Sequence, residues 1–299
     1  MKAKISLLVV LTITILLSCS QKGSENGSNE RPNILFIMSD DHAYQALSAY
    51  EDDLIETPNI DRIADEGMLF TNASVTNSIC APSRAVILTG KHCHINGKID
   101  NRFPFDTTNI TFPQIMHQNG YQTALFGKLH FGNNPKGFDE YKILPGQGSY
   151  YKPEFITKND GRYTIDGYTT DIITDMVLDW LQNDREADKP FLMMYLHKAP
   201  HREWFPHPRH YKEFTDKTFP EPETLFDDYE GRGTAAKTAE MRILDDMNWA
   251  GDLKVYPQVM DELGLEKNMR WDKAAFEREY GRMSDKNQAR WDSVYRPVM

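Results

Sequence analysis

Cysteine is scarce in this 299-residue chain, with three in all, Cys19, Cys80 and Cys93. That is too few for a disulfide framework, and each can be followed singly. Positive charge is also short: 34 Lys and Arg stand against 44 Asp and Glu, a formal net charge of −10. An acidic balance of this size argues against a nucleic-acid binder, so any basic site must be local. There is no internal repeat and no apolar run of membrane-spanning length. With 40% hydrophobic and 26% charged residues, the composition suits one large globular domain or two modest ones.

The N-terminus reads MKAKISLLVVLTITILLSCSQKG. Lys2 and Lys4 form a positive lead-in, and Ile5 to Leu17 make an apolar stretch too short and wrongly flanked to span a bilayer. Leu16-Leu17-Ser18-Cys19 resembles a bacterial lipoprotein signal, with Cys19 as the lipidated first mature residue. An ordinary secretory signal with an incidental cysteine is the plainer alternative. The expectation is a signal over residues 1–18, a flexible polar tether over 19–31, and a domain over 32–299. The protein would be exported and anchored at the periplasm or outer membrane by lipid on Cys19. In that compartment a Cys80–Cys93 disulfide is open to the chain, although spacing alone does not establish its geometry.

Three short apolar runs end in polar clusters. Asn33–Met38 leads to Asp40-Asp41-His42, Tyr121–Phe126 leads to Lys128 and His130, and Phe191–Leu196 leads to His197 and His201. Continuous apolarity predicts strands buried on both faces, as in a parallel sheet. Between them, Thr57-Pro58 opens a helix that carries Ile60, Ile63 and Ala64 and stops at Gly67. Residues 166–182 place Tyr168, Ile172, Met176 and Trp180 at helical spacing. The predicted fold class is α/β, a doubly wound, mainly parallel sheet flanked by helices. In such sheets ligands bind beyond the strands' carboxyl ends, where the three polar clusters would meet. Residues 203–299 carry no further strand-like run and read as helical or irregular.

The clusters offer several chemistries. Asp40-Asp41 suits either a hard cation or a solvated acidic turn. Lys128 and His130, two apart in an extended segment, would face one side and could neutralise an anionic ester and supply a proton. His197 and His201 bracket a Lys-Ala-Pro turn without an evident third zinc ligand nearby. His92-Cys93-His94 looks metal-like, although a partly buried structural role suits it better. In "SICAPSRAVILTGK", Pro82 would begin a helix ending at Gly90, leaving Cys80 just ahead of its N-terminus. A low-pKa nucleophilic thiol and a buried structural cysteine both fit there.

Cys80-Ala81-Pro82-Ser83-Arg84 followed by Leu88-Thr89-Gly90-Lys91 matches the signature C-x-P-S-R … L-T-G-R/K, and on it the chain resembles the type I sulfatases of the alkaline phosphatase superfamily. Asp40-Asp41, Gly127-Lys128-Leu129-His130 and Ala199-Pro200-His201 match in family order, so the resemblance covers residue 31 to about residue 230. It implies an alkaline-phosphatase-like fold and hydrolysis of sulfate esters of sulfated glycans, including N-acetylglucosamine 6-sulfate of glycosaminoglycans. It implies that a maturing partner, a formylglycine-generating or anaerobic sulfatase-maturating enzyme, oxidises Cys80 to formylglycine. Asp40, Asp41 and the modified Cys80 would ligate calcium, and Arg84 would steady the formylglycine hydroxyl. Lys128 and His201 would hold the sulfate, and His130 would assist breakdown of the sulfated intermediate.

One departure bears on that reading. The family completes its metal site with a later strand ending in Asp-Asn or Asp-His before glycine, followed by another lysine. Residues 202–299 hold no such sequence. The expectation is therefore an incomplete sheet with an open edge and weak metal binding. A non-catalytic remnant or glycan binder and a phosphonate or phosphate monoester hydrolase stand as alternatives.

Overall fold

The three apolar runs become the middle and one edge of a six-stranded sheet. The computed structural model describes residues 31–51, 54–241, 246–264 and 269–296, with the backbone alone over 269–272. The expected signal, Cys19 and the tether up to residue 30 lie outside the described residues. In chain order the strands are β1 (Ile34–Met38), β2 (Gln122–Lys128), β3 (Glu140–Leu144), β4 (Glu154–Thr157), β5 (Arg162–Thr164) and β6 (Phe191–Leu196). Their spatial order is β1-β6-β2-β3-β4-β5. The first four neighbours pair in parallel, and β4 and β5 extend the sheet antiparallel. The last three strands in spatial order were not legible as buried apolar runs, because two of them are short and polar at alternate positions.

Helices α1 (Pro58–Glu66), α2 (Cys80–Thr89), α3 (Cys93–Asn96), α4 (Phe112–Gln118) and α5 (Thr169–Asp179) accompany the sheet. One face packs on α2, whose Ala81, Ala85 and Leu88 meet Leu125, Ile143, Met194 and Leu196. The other packs on α5 and the wide turn after it, where Ile173, Val177 and Trp180 meet Ala124, Phe126, Phe155 and Met193. Successive residues of β2 and β6 thus enter opposite layers, which is why their runs are apolar without alternation. This is the doubly wound arrangement expected.

β1 departs from the expectation of burial on both faces. Phe36 and Met38 pack into the α2 layer, but Leu35 and Ile37 are 45% and 49% exposed. The cause is its place at the end of the strand order. Helix α1 likewise begins at Pro58 and stops before Gly67, yet Ile60 and Ile63 are exposed. Thr57 does not cap it. Its hydroxyl bonds to Asp61 and accepts from the Ser48 amide, which fastens the preceding loop instead.

Beyond β6 the chain is irregular and then helical, with α6 (Thr234–Lys237), α7 (Pro257–Glu262), α8 (Met269–Tyr280) and α9 (Asp285–Tyr295). These build a separate aromatic core from Phe205, Tyr211, Tyr256, Phe276 and Trp291, closed against Tyr150 and Tyr151. Residues 34–299 thereby make one compact unit. Among the described residues, no helix is long and apolar enough to cross a membrane.

Register levels the strand ends that matter. Met38 and Gly127 both lie opposite Leu196, so the residues after β1, β2 and β6 emerge side by side. Gly127 makes this possible: its φ is +109°, and a Cβ there would sit 1.8 Å from the Leu196 carbonyl oxygen. We therefore expect Gly127→Ala to lower unfolding stability by about 3 kcal/mol in urea titrations, from backbone strain plus the clash. A loss below about 1 kcal/mol would show that this close approach does not govern the sheet.

Candidate active site

The first turn of α2, the ends of β1 and β2, and the loop after β6 converge on one buried charge cluster. Lys128, the last residue of β2, is fully buried among β-sheet neighbours, and its ammonium contacts Asp40 Oδ2 as an ion pair without the direction of a hydrogen bond. Arg84, one turn into α2 and equally buried, lies 3.5 Å from Asp40 Oδ1 and donates to the Lys128 carbonyl. The Asp40 amide donates to the Ala199 carbonyl at 3.1 Å, which ties the β1 and β6 exits together. Burial alone would raise the Asp40 carboxyl, but Arg84 and then Lys128 outweigh it and hold it below its ordinary value.

Cys80 occupies the first position of α2, which begins two residues before the Pro82 start read from the sequence, and Ile79 stands at the cap. The first-turn amide of Ala81 is taken by Asn101 Oδ1 at 3.1 Å, a contact no sequence signal marked. The Lys128 ammonium lies 3.9 Å from Cys80 Sγ. Burial nevertheless pushes the thiol above its ordinary pKa; Lys128 opposes this, while Asp40 and Asp41 add to it. Helix position alone suggested an activated thiol, and the surrounding carboxylates and burial overturn that reading. Cys93 is also a free thiol, so no disulfide joins the two.

His201 is buried beside this cluster. Its Nδ1 donates to the Arg202 carbonyl, which leaves Nε2 as the unprotonated nitrogen of the neutral ring, 3.5 Å from Asp41. Burial, then Lys128, lowers the ring's pKa below the ordinary histidine value. Ligand atoms of Asp40, Cys80 and His201 all lie within 4.8 Å of one another. Asp41 stays at the mouth, half exposed, with a left-handed φ of 55°. The donor set fits a divalent cation in part: Asp40 and Asp41 are the oxygen donors a hard ion requires, but fewer than it takes.

His130 corrects the simple two-apart argument. Its φ is +63°, so the chain is not extended there and strand alternation is not what relates it to Lys128, although Lys128, Arg84 and Asp40 all act on its ring. It is half-buried with Nδ1 unpartnered, and burial, Lys128 and Arg84 lower its pKa to about 4. Cys93 is partly buried, as expected of that stretch, whereas His92 and His94 are exposed and stacked on each other, and among the described residues the three form no ligand cluster. Sequence reasoning missed Lys198, a buried lysine between His197 and His201, because nothing in an H-K-A-P-H string says which way the lysine turns.

Comparison with known proteins follows from this geometry. A family model described as Sulfatase matches residues 32–258. The chain is 46% identical over 294 residues to an N-acetylglucosamine-6-O-sulfatase of Bacteroides thetaiotaomicron, covering 97% of this chain and 50% of that protein. It is 28% identical to an ulvan-active sulfatase of Formosa agariphila, covering 96% of this chain and 60% of the other. A solved structure of a protein in complex with its substrate D-glucosamine-2-N,6-O-disulfate aligns with a TM-score of 0.80 at 45% identity, over 90% of this chain and 53% of that one. The chain thus spans about half the length of these relatives. A phosphonate monoester hydrolase of Agrobacterium radiobacter aligns with a TM-score of 0.51 at 18% identity, a likeness of fold alone.

The site's histidines also set a pH dependence. Burial lowers the pKa of His197, whose Nδ1 has no partner, from 6.5 to about 4. Between those values the unfolded chain binds more protons than the folded one, so stability falls as pH drops from 6.5 towards 4. His197→Gln should flatten this acid limb by about 3 kcal/mol in paired denaturant titrations at pH 7 and pH 4. Parallel pH profiles for variant and parent would contradict the burial of a neutral ring.

Proposed function

Because the chain belongs to the sulfatase family, we propose that the protein it represents releases sulfate from sulfated glycans, with the 6-sulfate of N-acetylglucosamine as the leading substrate. The observation that carries this reading is the convergence of Asp40, Cys80, Arg84, Lys128 and His201 at three strand ends, around a thiol that its surroundings do not activate. The 46% identical relative, by its name, acts on the 6-O-sulfate of N-acetylglucosamine, which supports the substrate assignment.

In this reading Cys80 is the precursor of formylglycine and is never a thiol catalyst. A maturing enzyme reads Pro82, Ser83 and Arg84 as part of the tag. Lys128 and Arg84 then act as fixed positive charge against the sulfate and against the modified residue's oxygen, in a buried setting where such charge acts strongly. Neutral His201 offers Nε2 towards the substrate or the cation, and Asp40 and Asp41 would hold that cation. Calcium, when bound there, would neutralise the sulfate oxygens. His130, also neutral, is available to accept a proton at the leaving or attacking oxygen.

The N-terminal residues complete the proposal. Residues 1–18 direct export, Cys19 takes a lipid, residues 19–31 tether, and residues 32–299 belong to the catalytic domain. A lipid-anchored exported enzyme would meet polymeric glycans outside the cytoplasm.

The test uses protein produced with a maturing enzyme. The Cys80 peptide should show the mass loss of a thiol replaced by an aldehyde oxygen, and the matured protein should release sulfate from N-acetylglucosamine 6-sulfate. Lys128→Ala should lower kcat/KM by about 10²–10³-fold. Confirmed aldehyde without sulfate release would overturn the reading, and faster turnover of a matched phosphate ester would move the activity to phosphoryl transfer.

A further inference from the structure

A cavity of about 440 Å³ opens beside the charge cluster, with His201 and Lys198 in the shared wall. That volume is in the range of pockets that hold a sugar-sized ligand. Its lining carries four cationic side chains, Lys198, Arg202, Arg278 and Arg282, against two carboxylates, Glu154 and Glu203. In a chain of net charge −10 this is a local basin of positive potential.

Some of these charges are satisfied within the wall. Arg278 holds Glu203 at 2.5 Å, Arg202 is paired with the buried Asp252, and Glu154 accepts from Arg162 at 2.9 Å. Two cations differ. Lys198 is 2% exposed, and among the described residues no carboxylate oxygen lies within 4 Å of its ammonium. The ammonium stands 4.6 Å over the Tyr150 ring. Arg282, half-buried just past α8, donates to the Lys152 carbonyl at 3.0 Å and makes no ion pair among the described residues. Placing an ammonium this deep without a close counter-charge is costly. Here the compensation comes from the ring and from the fully buried Glu279, which accepts from the Tyr150 amide at 2.9 Å. The surrounding structure therefore fixes Lys198 at the cavity's edge with its charge uncommitted to any near carboxylate.

We propose that this cavity is a second anion-recognition pocket, in which Lys198 and Arg282 receive a further sulfate or carboxylate of the sugar whose reacting sulfate sits at the Lys128 cluster. The assignment of a sugar ligand rests on the sulfatase reading. The pocket makes the site select for multiply charged glycans, and it gives the helical region after β6 a role in specificity. Among the described residues that region contributes no strand to the sheet, but it supplies Arg278, Arg282 and the carboxylate of Glu279.

Titration calorimetry on the full chain, with calcium present, tests this with three probes. They are a 6-sulfated N-acetylhexosamine, its 6-sulfated and N-sulfated counterpart, and the 6-sulfated N-acetylhexosamine linked to a uronic acid. A second anion should tighten binding at least about tenfold, and the N-sulfate and uronate arms identify which group fills the pocket. Arg282→Gln and Lys198→Met should each remove most of that gain while leaving the singly sulfated sugar within about twofold. Arg282→Gln, on a half-buried rim, keeps the test open if Lys198→Met does not fold, as judged by its melting profile. Equal affinity for all three sugars, no binding of any, a gain that survives in Arg282→Gln, or an equal loss for singly and doubly charged sugars would overturn the proposal. Sulfate release is scored separately: a chain that binds with the expected preference but releases no sulfate upholds the pocket and sinks the catalytic reading.

Discussion

Two cations and a carboxylate, Lys128, Arg84 and Asp40, are packed together where three parallel strands end, and the pairing of both cations with Asp40 decides what the rest of the fold must do. None of the three could be buried alone, since an isolated charge of this depth costs several kcal/mol. Their burial is tolerable only because β1, β2 and α2 deliver them within contact of one another. The requirement reaches back into the sheet. Parallel register brings Met38, Leu196 and Gly127 level, and glycine at 127 lets β2 approach the Leu196 carbonyl closely enough for Lys128 to emerge beside Asp40. Loss of Asp40 would leave both cations as uncompensated buried charge, so the cluster couples the stability of the sheet to the integrity of the site.

The same cluster sets the balance of charge around Cys80. A helix N-terminus and a lysine at 3.9 Å both favour a thiolate, and on those two features alone the sulfur would be reactive. Burial and the two aspartates reverse the balance. Burial is the largest of these effects, and Asp40 offsets one of the two cationic charges beside the sulfur.

Much of the site was legible before any coordinates, for a physical reason: β2 and β6 are buried on both faces, so their apolar runs are continuous and their ends are marked by the first polar residues. Asp40, Lys128 and His201 follow directly from that pattern, and the fold class with them. β1 followed the same pattern in sequence but not in space, because apolarity reports what a strand could bury and not whether a neighbour covers it; at the sheet edge, Leu35 and Ile37 meet none. His130 shows a second limit. A left-handed residue breaks the two-residue alternation, and a histidine gives no sign of adopting one. Cys80 shows a third: a difference of two residues in where a helix begins moves it from outside the first turn to within it.

Lys198 marks the deepest limit, and it also indicates what the helical region contributes. Its place depends on Tyr150, which precedes β4, and on Glu279, which lies on α8 and more than 80 positions further along the chain. Tyr150 joins these parts directly: its hydroxyl donates to the His201 carbonyl at 2.5 Å, and its amide donates to Glu279. A shift of α8 would thus be felt at His201 through one residue, with no need for the sheet to move. The aromatic core built from Phe205, Phe276 and Trp291 is what holds α8 in that position. The region without strands is therefore bound into the site as firmly as the sheet is, by packing around a tyrosine whose two polar groups face two different walls.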